Sequence, residues 1–160
     1  MSRFIYSLIF IIAAGLSSCS EEIIIKEEQL VEDLFYVDDK LAPYTGKCRV
    51  VFSDSDLTKV ILSFRRGKLQ GEAVYYFKNG KPKWKGIYKN GFISGTWEHW
   101  SENDEKMYEV NYDNDTLEGT FKSWYPSGTL KELGCYANNR KTGEWIVYNE
   151  SGAIVETVKY

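Results

Sequence analysis

The stretch "GEAVYYFKNGKPKWKGIYKNGFISGTW", from Gly71 to Trp97, contains one complete unit of a repeat and the start of the next. The glycine recurs every 24 residues, at Gly71, Gly95, Gly119 and Gly143, and Gly46 stands 25 residues before the first of these. Seventeen positions after each of the last four glycines comes a tyrosine: Tyr88, Tyr112, Tyr136 and Tyr160. A fixed period of this length predicts an array of stacked structural repeats.

Turn residues divide each unit into two short strands. They are Asn79-Gly80, Asn103-Asp104, Ser127-Gly128 and Ser151-Gly152 inside the units, and Arg66-Gly67, Asn90-Gly91, Asn114-Asp115 and Asn138-Asn139 between them. Most of these residues tolerate the positive φ that type I′ hairpin turns require at both central positions. The segments between the turns are rich in aromatic and β-branched residues, which is typical of strands. We therefore predict an all-β fold, an elongated and twisted single-layer antiparallel meander of five hairpin units.

This pattern resembles that of the MORN-repeat variant proteins, often labelled YwqK-type antitoxin-like proteins. In that family, as in the quoted stretch, a glycine is followed by two aromatic positions, Asn-Gly, an aromatic strand and a second Asn-Gly. The segment "APYTGKC", Ala42 to Cys48, is similar to the first repeat of lipoproteins in this group. The resemblance covers residues 42–160 and implies the same meander. Three residues depart from the pattern by replacing turn glycines, and we expect them to change the turn type alone: Asp104, Asp115 and Asn139.

The first 18 residues have the pattern of a secretory signal peptide, with Arg3 followed by an apolar run from Phe4 to Gly15. That run is shorter than the roughly 20 residues of a membrane-spanning helix. The sequence "LSSC", ending at Cys19, resembles the bacterial lipobox, which implies that Cys19 carries a lipid. Ordinary cleavage near Ser18, with release of a soluble protein, is the alternative. The resemblance implies a bacterial envelope protein that is lipid-anchored at the outer membrane and faces either the periplasm or the cell surface.

Four segments follow from this division of the chain. They are a signal peptide over residues 1–18, the lipidated Cys19 and an acidic tether over 19–32, a capping hairpin over 33–45 and the repeat domain over 46–160. Without the signal peptide, 19 basic residues face 23 acidic ones. We expect no Lys/Arg cluster, which argues against a nucleic-acid partner. It also argues against adsorption to anionic lipid by charge alone, so membrane attachment is expected through the lipid only.

The sequence contains little that could support catalysis. His99, in "GTWEHW", is the single histidine, and it occupies a variable position of the repeat, which favours an ordinary strand residue. General acid–base chemistry needs a second titratable group within hydrogen-bond reach, and a zinc site needs three or four ligands. Glu98 and Glu144 could form a carboxylate pair, but solvated side chains are the favoured interpretation. The sequence therefore predicts no enzyme activity, no metal site and no cofactor.

The aromatic residues have two interpretations. Trp97, Trp124, Trp145 and the tyrosine ladder could form the core of the sheet, because cross-strand aromatic pairs stabilise it by up to about 1 kcal/mol each. Part of the set could instead be an exposed platform for a peptide, a glycan or a protein. The candidates for such a surface are Trp84, Trp97, Trp100 and Trp124. Trp97 and Trp100 are three positions apart, so either a bulge realigns them or both faces of the sheet carry aromatic residues.

Cys48 and Cys135 test the linear arrangement. The predicted meander separates them by seven strand spacings, or roughly 34 Å, whereas a disulfide needs Cα atoms within roughly 4.4–6.8 Å of each other. We therefore expect two free thiols.

The repeats, the lipobox and the missing catalytic set favour a non-enzymatic, lipid-anchored scaffold for protein–protein interaction. Its partner would be another protein or a surface glycan. One alternative is a glycan- or peptide-binding module that uses exposed aromatic rings. The other is an antitoxin or immunity protein that neutralises an exported effector, which rests on the family label alone.

Overall fold

The computed structural model describes residues 22–26 and 43–160, which form a single sheet of twelve strands. Strand order follows chain order, except that the two-residue β4 lies off this path and pairs with β3. The strands are β1 Ile23–Lys26, β2 Gly46–Val51, β3 Thr58–Arg65, β4 Lys68–Leu69, β5 Gly71–Tyr76, β6 Pro82–Lys89, β7 Phe92–Trp100, β8 Lys106–Asp113, β9 Thr116–Trp124, β10 Leu130–Ala137, β11 Arg140–Tyr148 and β12 Ile154–Lys159.

From β2 onward, all neighbouring strands pair in the antiparallel sense, and the described residues contain no helix. The predicted all-β meander of hairpins is therefore confirmed. The five hairpins are β2/β3, β5/β6, β7/β8, β9/β10 and β11/β12, and each begins with one of the five repeat glycines or contains it in its first strand. Those glycines need their lack of a side chain, since Gly95 and Gly143 have φ of 68° and 66° inside strands.

The turns between units have positive φ at both central residues, as type I′ turns require. At Asn90 and Gly91 the angles are 55° and 97°, and at Asn114 and Asp115 they are 47° and 62°. The sequence prediction of type I′ turns is correct at these positions.

The turns inside the units are of another type, and the type I′ prediction is wrong for them. Only one residue in each has positive φ, namely Gly80, Asp104, Gly128 and Gly152. In the second unit, the Phe77 N–H donates to the Lys81 carbonyl oxygen (2.9 Å) and the Gly80 N–H donates to the Phe77 carbonyl oxygen (3.0 Å). This is the pattern of a three-residue loop, a type I turn followed by a left-handed residue. The Asn-Gly pair thus fills the second and third loop positions, instead of forming the whole turn.

Strand pairing gives the sheet two distinct faces. One, which we call the aromatic face, carries the residues that stand two and four positions after the glycine of each unit, together with their cross-strand partners. They include Trp84, Trp97, His99, Tyr108, Val110, Phe121 and Trp145. The other, which we call the charged face, carries Lys85, Glu98, Lys106, Glu109 and Lys122. The buried core lies on the aromatic face and includes Cys48, Val60, Leu62, Ala73, Trp97 and Val110.

The tyrosine ladder packs edge-on against this core. Tyr88 meets Trp97 with ring centroids 5.2 Å apart and an angle of 84° between the rings, and Tyr136 meets Trp145 with the same two values. Edge-to-face contacts of this kind are favoured for aromatic pairs. Tyr160 takes the same place against Trp145 from the other side (6.2 Å) but remains 57% exposed.

Each turn between units docks on the equivalent turn of the preceding unit. The Asp115 N–H donates to the Ile93 carbonyl oxygen (3.0 Å), and the Asp115 carboxylate accepts the Ile93 N–H (2.6 Å). Asn139 makes the same two contacts with Leu117, at 3.1 and 2.8 Å. Two of the departures from the turn glycine therefore add a hydrogen bond between units.

The N-terminal region of the sheet differs from the sequence prediction in one respect. Within the predicted tether, Ile23–Lys26 forms β1, which pairs in parallel with β2 and buries Ile25. An apolar run of three isoleucines explains this, because it has high strand propensity. The signal peptide, Cys19 and most of the predicted capping hairpin at residues 33–45 lie outside the described residues.

The two thiols of the repeat region are free, with Cys48 buried and Cys135 exposed. Burial raises the pKa of Cys48 to about 12, so this thiol stays protonated and unreactive at neutral pH.

Candidate functional site

A groove of about 600 Å³ opens on the aromatic face across the first three units. Most of the residues that line it are aromatic. At the far end they are Tyr112, beside Ile93, and elsewhere they are Phe52, Tyr75, Tyr76, Phe77, Trp84 and Trp97. A concave, mainly apolar surface with a few polar groups at its edge is the usual form of a binding site.

The floor of the groove is held rigidly. Trp97 is only 5% exposed, and its indole N–H donates to the Ile87 carbonyl oxygen (3.2 Å). Tyr75 lies 6.3 Å from Trp97, centroid to centroid, and its hydroxyl is 3.1 Å from that of Tyr88. A ligand would therefore meet a preformed surface, with little side-chain ordering to oppose binding.

Three lysines line the groove at the end formed by the first two units. Lys59 and Lys78 stand 5.9 and 5.5 Å from the centroid of the Phe52 ring, and Lys83 stands 5.4 Å from that of Phe77. Lys78 also forms a 2.6 Å ion pair with Asp54. Lys83 forms no salt bridge with any other described residue.

These lysines belong to a basic region that the sequence-based expectation missed. Residues 59–89 contain nine of the 20 Lys and Arg residues of the chain and a single acidic residue, Glu72. The expectation of no Lys/Arg cluster is therefore wrong. The overall acidic balance concealed the cluster, and counting charges unit by unit would have found it.

His99 lies next to the groove, within the aromatic row. Its ring centroid is 4.3 Å from that of Trp84 and 4.7 Å from that of Tyr108. Burial lowers the pKa of His99, and the positive charge of Lys83 lowers it further. Its Nδ1 is buried and has no hydrogen-bond partner among the residues that the structure describes. The imidazole is thus neutral and packs within the aromatic row, as the sequence favoured for an ordinary strand residue.

The four candidate tryptophans are divided between the two faces. Trp84 is half-buried and lines the groove, while Trp97 belongs to the core and contributes to the groove floor rather than to an exposed platform. Trp124 lies under Lys106, 4.9 Å from the ring centroid, on the charged face. Trp100 pairs across the strands with Lys106, after a register shift at His99. A register shift is present, but it leaves Trp100 opposite Lys106 of the charged face, so of the two alternatives left open by the sequence the second holds: both faces carry aromatic residues.

The charged face carries a ladder of alternating charges. The Lys106 ammonium contacts the carboxylates of Glu98 (2.5 Å) and Glu109 (2.8 Å), and Lys122 reaches Glu109 at 3.5 Å. The hydrogen bond from Lys106 is the main cause that lowers the pKa of Glu109. Glu144 lies on β11, four strand spacings or about 19 Å from Glu98 on β7, so these two carboxylates do not form a pair.

Within residues 22–26 and 43–160, no three His, Cys, Asp or Glu side chains lie close enough together to hold a metal ion. The same residues include no helix that is long and apolar enough to span a bilayer.

No curated protein matches the chain. Residues 69–90, 93–114 and 117–138 match the family described as MORN repeat variant. The three matched segments correspond to the second, third and fourth hairpins and their turns, and the first two contribute most of the groove. Three consecutive segments of the chain are therefore similar to MORN repeat variants, a kind of repeat that is typically non-catalytic and generally mediates protein or membrane interactions.

Proposed function

We propose that this chain is a non-enzymatic scaffold that binds another protein through the groove on its aromatic face. The observation that carries the proposal is the groove itself, with its half-buried rings at Tyr75 and Trp84 beside the fixed indole of Trp97. Aromatic residues are enriched at the centres of protein interfaces because they bury large areas at low entropic cost.

Capture from an envelope extract by variants of the immobilised chain tests this function. Trp84→Ala removes a ring from the groove, and Trp124→Ala is the matched control because it removes the same side chain from the charged face. We expect the wild type and the control to retain the same partner and Trp84→Ala to lose it. Equal retention by all three proteins would place the interface elsewhere.

We also propose that the scaffold is anchored in the bacterial envelope by a lipid on Cys19. The signal-peptide pattern and the lipobox support this anchor. The test is expression with the native leader, beside a Cys19→Ala control, followed by intact mass and detergent partitioning. A wild-type protein that loses residues 1–18, gains acyl mass and enters the detergent phase would support anchoring. An unacylated protein in the aqueous phase would exclude it.

A glycan-binding module is the second candidate, and the half-buried ring of Trp84 at the groove favours it, since sugars stack on such rings. Oligosaccharides should then quench tryptophan fluorescence in the wild type and in Trp124→Phe, but not in Trp84→Phe. An antitoxin or immunity role would use the same groove to hold an exported effector, and it would appear in the capture experiment as a toxic partner.

A further inference from the structure

The distribution of charge around the groove narrows the chemistry of its partner. Residues 59–89 carry nine basic residues against one acidic residue, whereas residues 92–160 carry six basic residues against 12 acidic ones. The sheet is thus basic over one and a half units and acidic beyond them. The lysines of the groove all lie in the basic part.

The lysine end of the groove has an excess of positive charge, since three lysines and one acidic residue, Glu102, line the groove. Lys78 is paired with Asp54, but Lys83 is exposed and forms no salt bridge with any other described residue. The charge of Lys83 also acts on His99, in the aromatic row, where it adds to the effect of burial in lowering the pKa of the imidazole. The far end is formed by Ile93 and Tyr112, neither of which is charged, whereas Glu102 lies beyond the end of β7 at the lysine end, where its carbonyl oxygen accepts the Asn79 side-chain N–H (3.1 Å).

The dimensions of the groove favour an extended chain. Its lining runs from Lys59 on β3 to Tyr112 on β8, which are four strand spacings or about 19 Å apart. An extended peptide covers roughly 3.3 Å per residue, so about six residues would fill this length.

We propose that the groove binds an extended acidic segment of a partner protein, with a carboxylate over Lys83 and an aromatic or aliphatic side chain on Trp84. This inference rests on the proposed function and adds the chemical class of the partner. The acidic residues of the bound segment lie at its Lys83 end, and its apolar residues lie toward Tyr112.

A long polyanion fits the same surface less well. Nucleic acid or an anionic membrane presents negative charge at regular intervals, and beyond the second unit it would meet the acidic excess of residues 92–160. Like charges at that distance repel and weaken such binding. A segment of about six residues avoids this repulsion because it ends within the groove.

The test is a random heptapeptide display library panned on the full chain, followed by fluorescence anisotropy with the most enriched peptide. We expect enriched peptides to combine several Asp or Glu residues with one aromatic or large aliphatic residue. Lys83→Glu should then weaken binding roughly tenfold, and the loss should shrink as salt is raised. Lys89→Glu is the matched control, because it makes the same charge change at an exposed position of the same strand, outside the groove.

Several results would overturn the proposal. They are the absence of enrichment, enriched peptides without acidic residues, an equal loss of binding in Lys83→Glu and Lys89→Glu, and tighter binding of oligothymidylate or of anionic phospholipid vesicles than of the peptide. If neutral peptides bind the wild type but not Trp84→Ala, an acidic partner is excluded, whereas the proposed function is still supported. If Trp84→Ala still retains the captured envelope protein, the proposed function itself is excluded.

Discussion

Trp97 lies across the Cα of Gly86, with its indole N–H bonded to the carbonyl oxygen of Ile87, the residue that follows the glycine. Trp145 lies across Gly134 in the same way and donates to Cys135 at 3.1 Å. Neither glycine has positive φ, so the reason for glycine is space: a Cβ at either position would overlap the indole. The large ring of one hairpin thus fills the volume that a missing side chain leaves on the preceding one.

Gly86→Ala should therefore destabilise the protein by about 1–3 kcal/mol, the usual cost of overpacking a core. Urea denaturation measures the change. The double variant Gly86→Ala/Trp97→Val should be less unstable than the two single changes predict by addition, because the smaller side chain makes room for the methyl group. Strict additivity would contradict the contact.

Asp115→Ala should cost about 1–2 kcal/mol, because it removes the acceptor of the Ile93 N–H and leaves a residue that disfavours φ of 62°. Asp115→Asn keeps the acceptor and tolerates that angle, so its free energy of unfolding should be close to that of the wild type. Thermal denaturation of the two variants gives the comparison. If they are equally unstable, the hydrogen bond between the turns is not the cause.

The charged face should make stability depend on acidic pH. The pKa of Glu109 is lowered in the folded protein, chiefly by the hydrogen bond from Lys106, so its contribution is complete above its ordinary value near 4.5 and is lost as the pH falls through the folded value. Glu109→Gln should flatten the fall in unfolding free energy between about pH 5 and pH 3. Urea denaturation across this range, with Glu144→Gln as the exposed control, should show the flattening only for Glu109→Gln.

His99 offers a direct electrostatic measurement, since the chain has one histidine. Its pKa should lie below the ordinary value of 6.5, first because of burial and second because of Lys83. The folded protein therefore favours the neutral ring, and the associated stability is full above pH 6.5 and declines as the pH falls through the folded pKa. NMR titration of the imidazole should give a higher pKa in Lys83→Gln than in the wild type, and an unchanged pKa in Lys89→Gln.

The repeat could be predicted from the sequence because glycines, tyrosines and turn pairs recur at one period, and each has a local conformational reason to do so. The turns inside the units could not be assigned as readily, since Asn79-Gly80 is compatible with a two-residue and a three-residue loop, and strand register decides between them. The pairing of β1 depends on contacts that are distant along the chain. The groove depends on which side of the sheet each ring occupies, and strand register, with shifts such as the one beside Trp100, decides which residues lie opposite each other.

Gly86 and Gly134 were missed for a related reason. They are absent from turns, and a glycine inside a strand carries no local signal of the ring that will cover it. Their role becomes visible only when β6 is placed beside β7, and β10 beside β11.

Because Gly86 and Gly134 are 48 residues apart, the hairpins are not interchangeable modules. Removal of residues 119–142 would bring Val110 opposite Trp145, where the ring has no vacant site, although the turns would still match. Duplication of a pair of hairpins would instead preserve every contact between a tryptophan and the glycine of the preceding hairpin. If such a chain lengthened by internal gene duplication, the increment that leaves its core intact is two hairpins, and arrays that differ by one hairpin would need a compensating substitution at the junction.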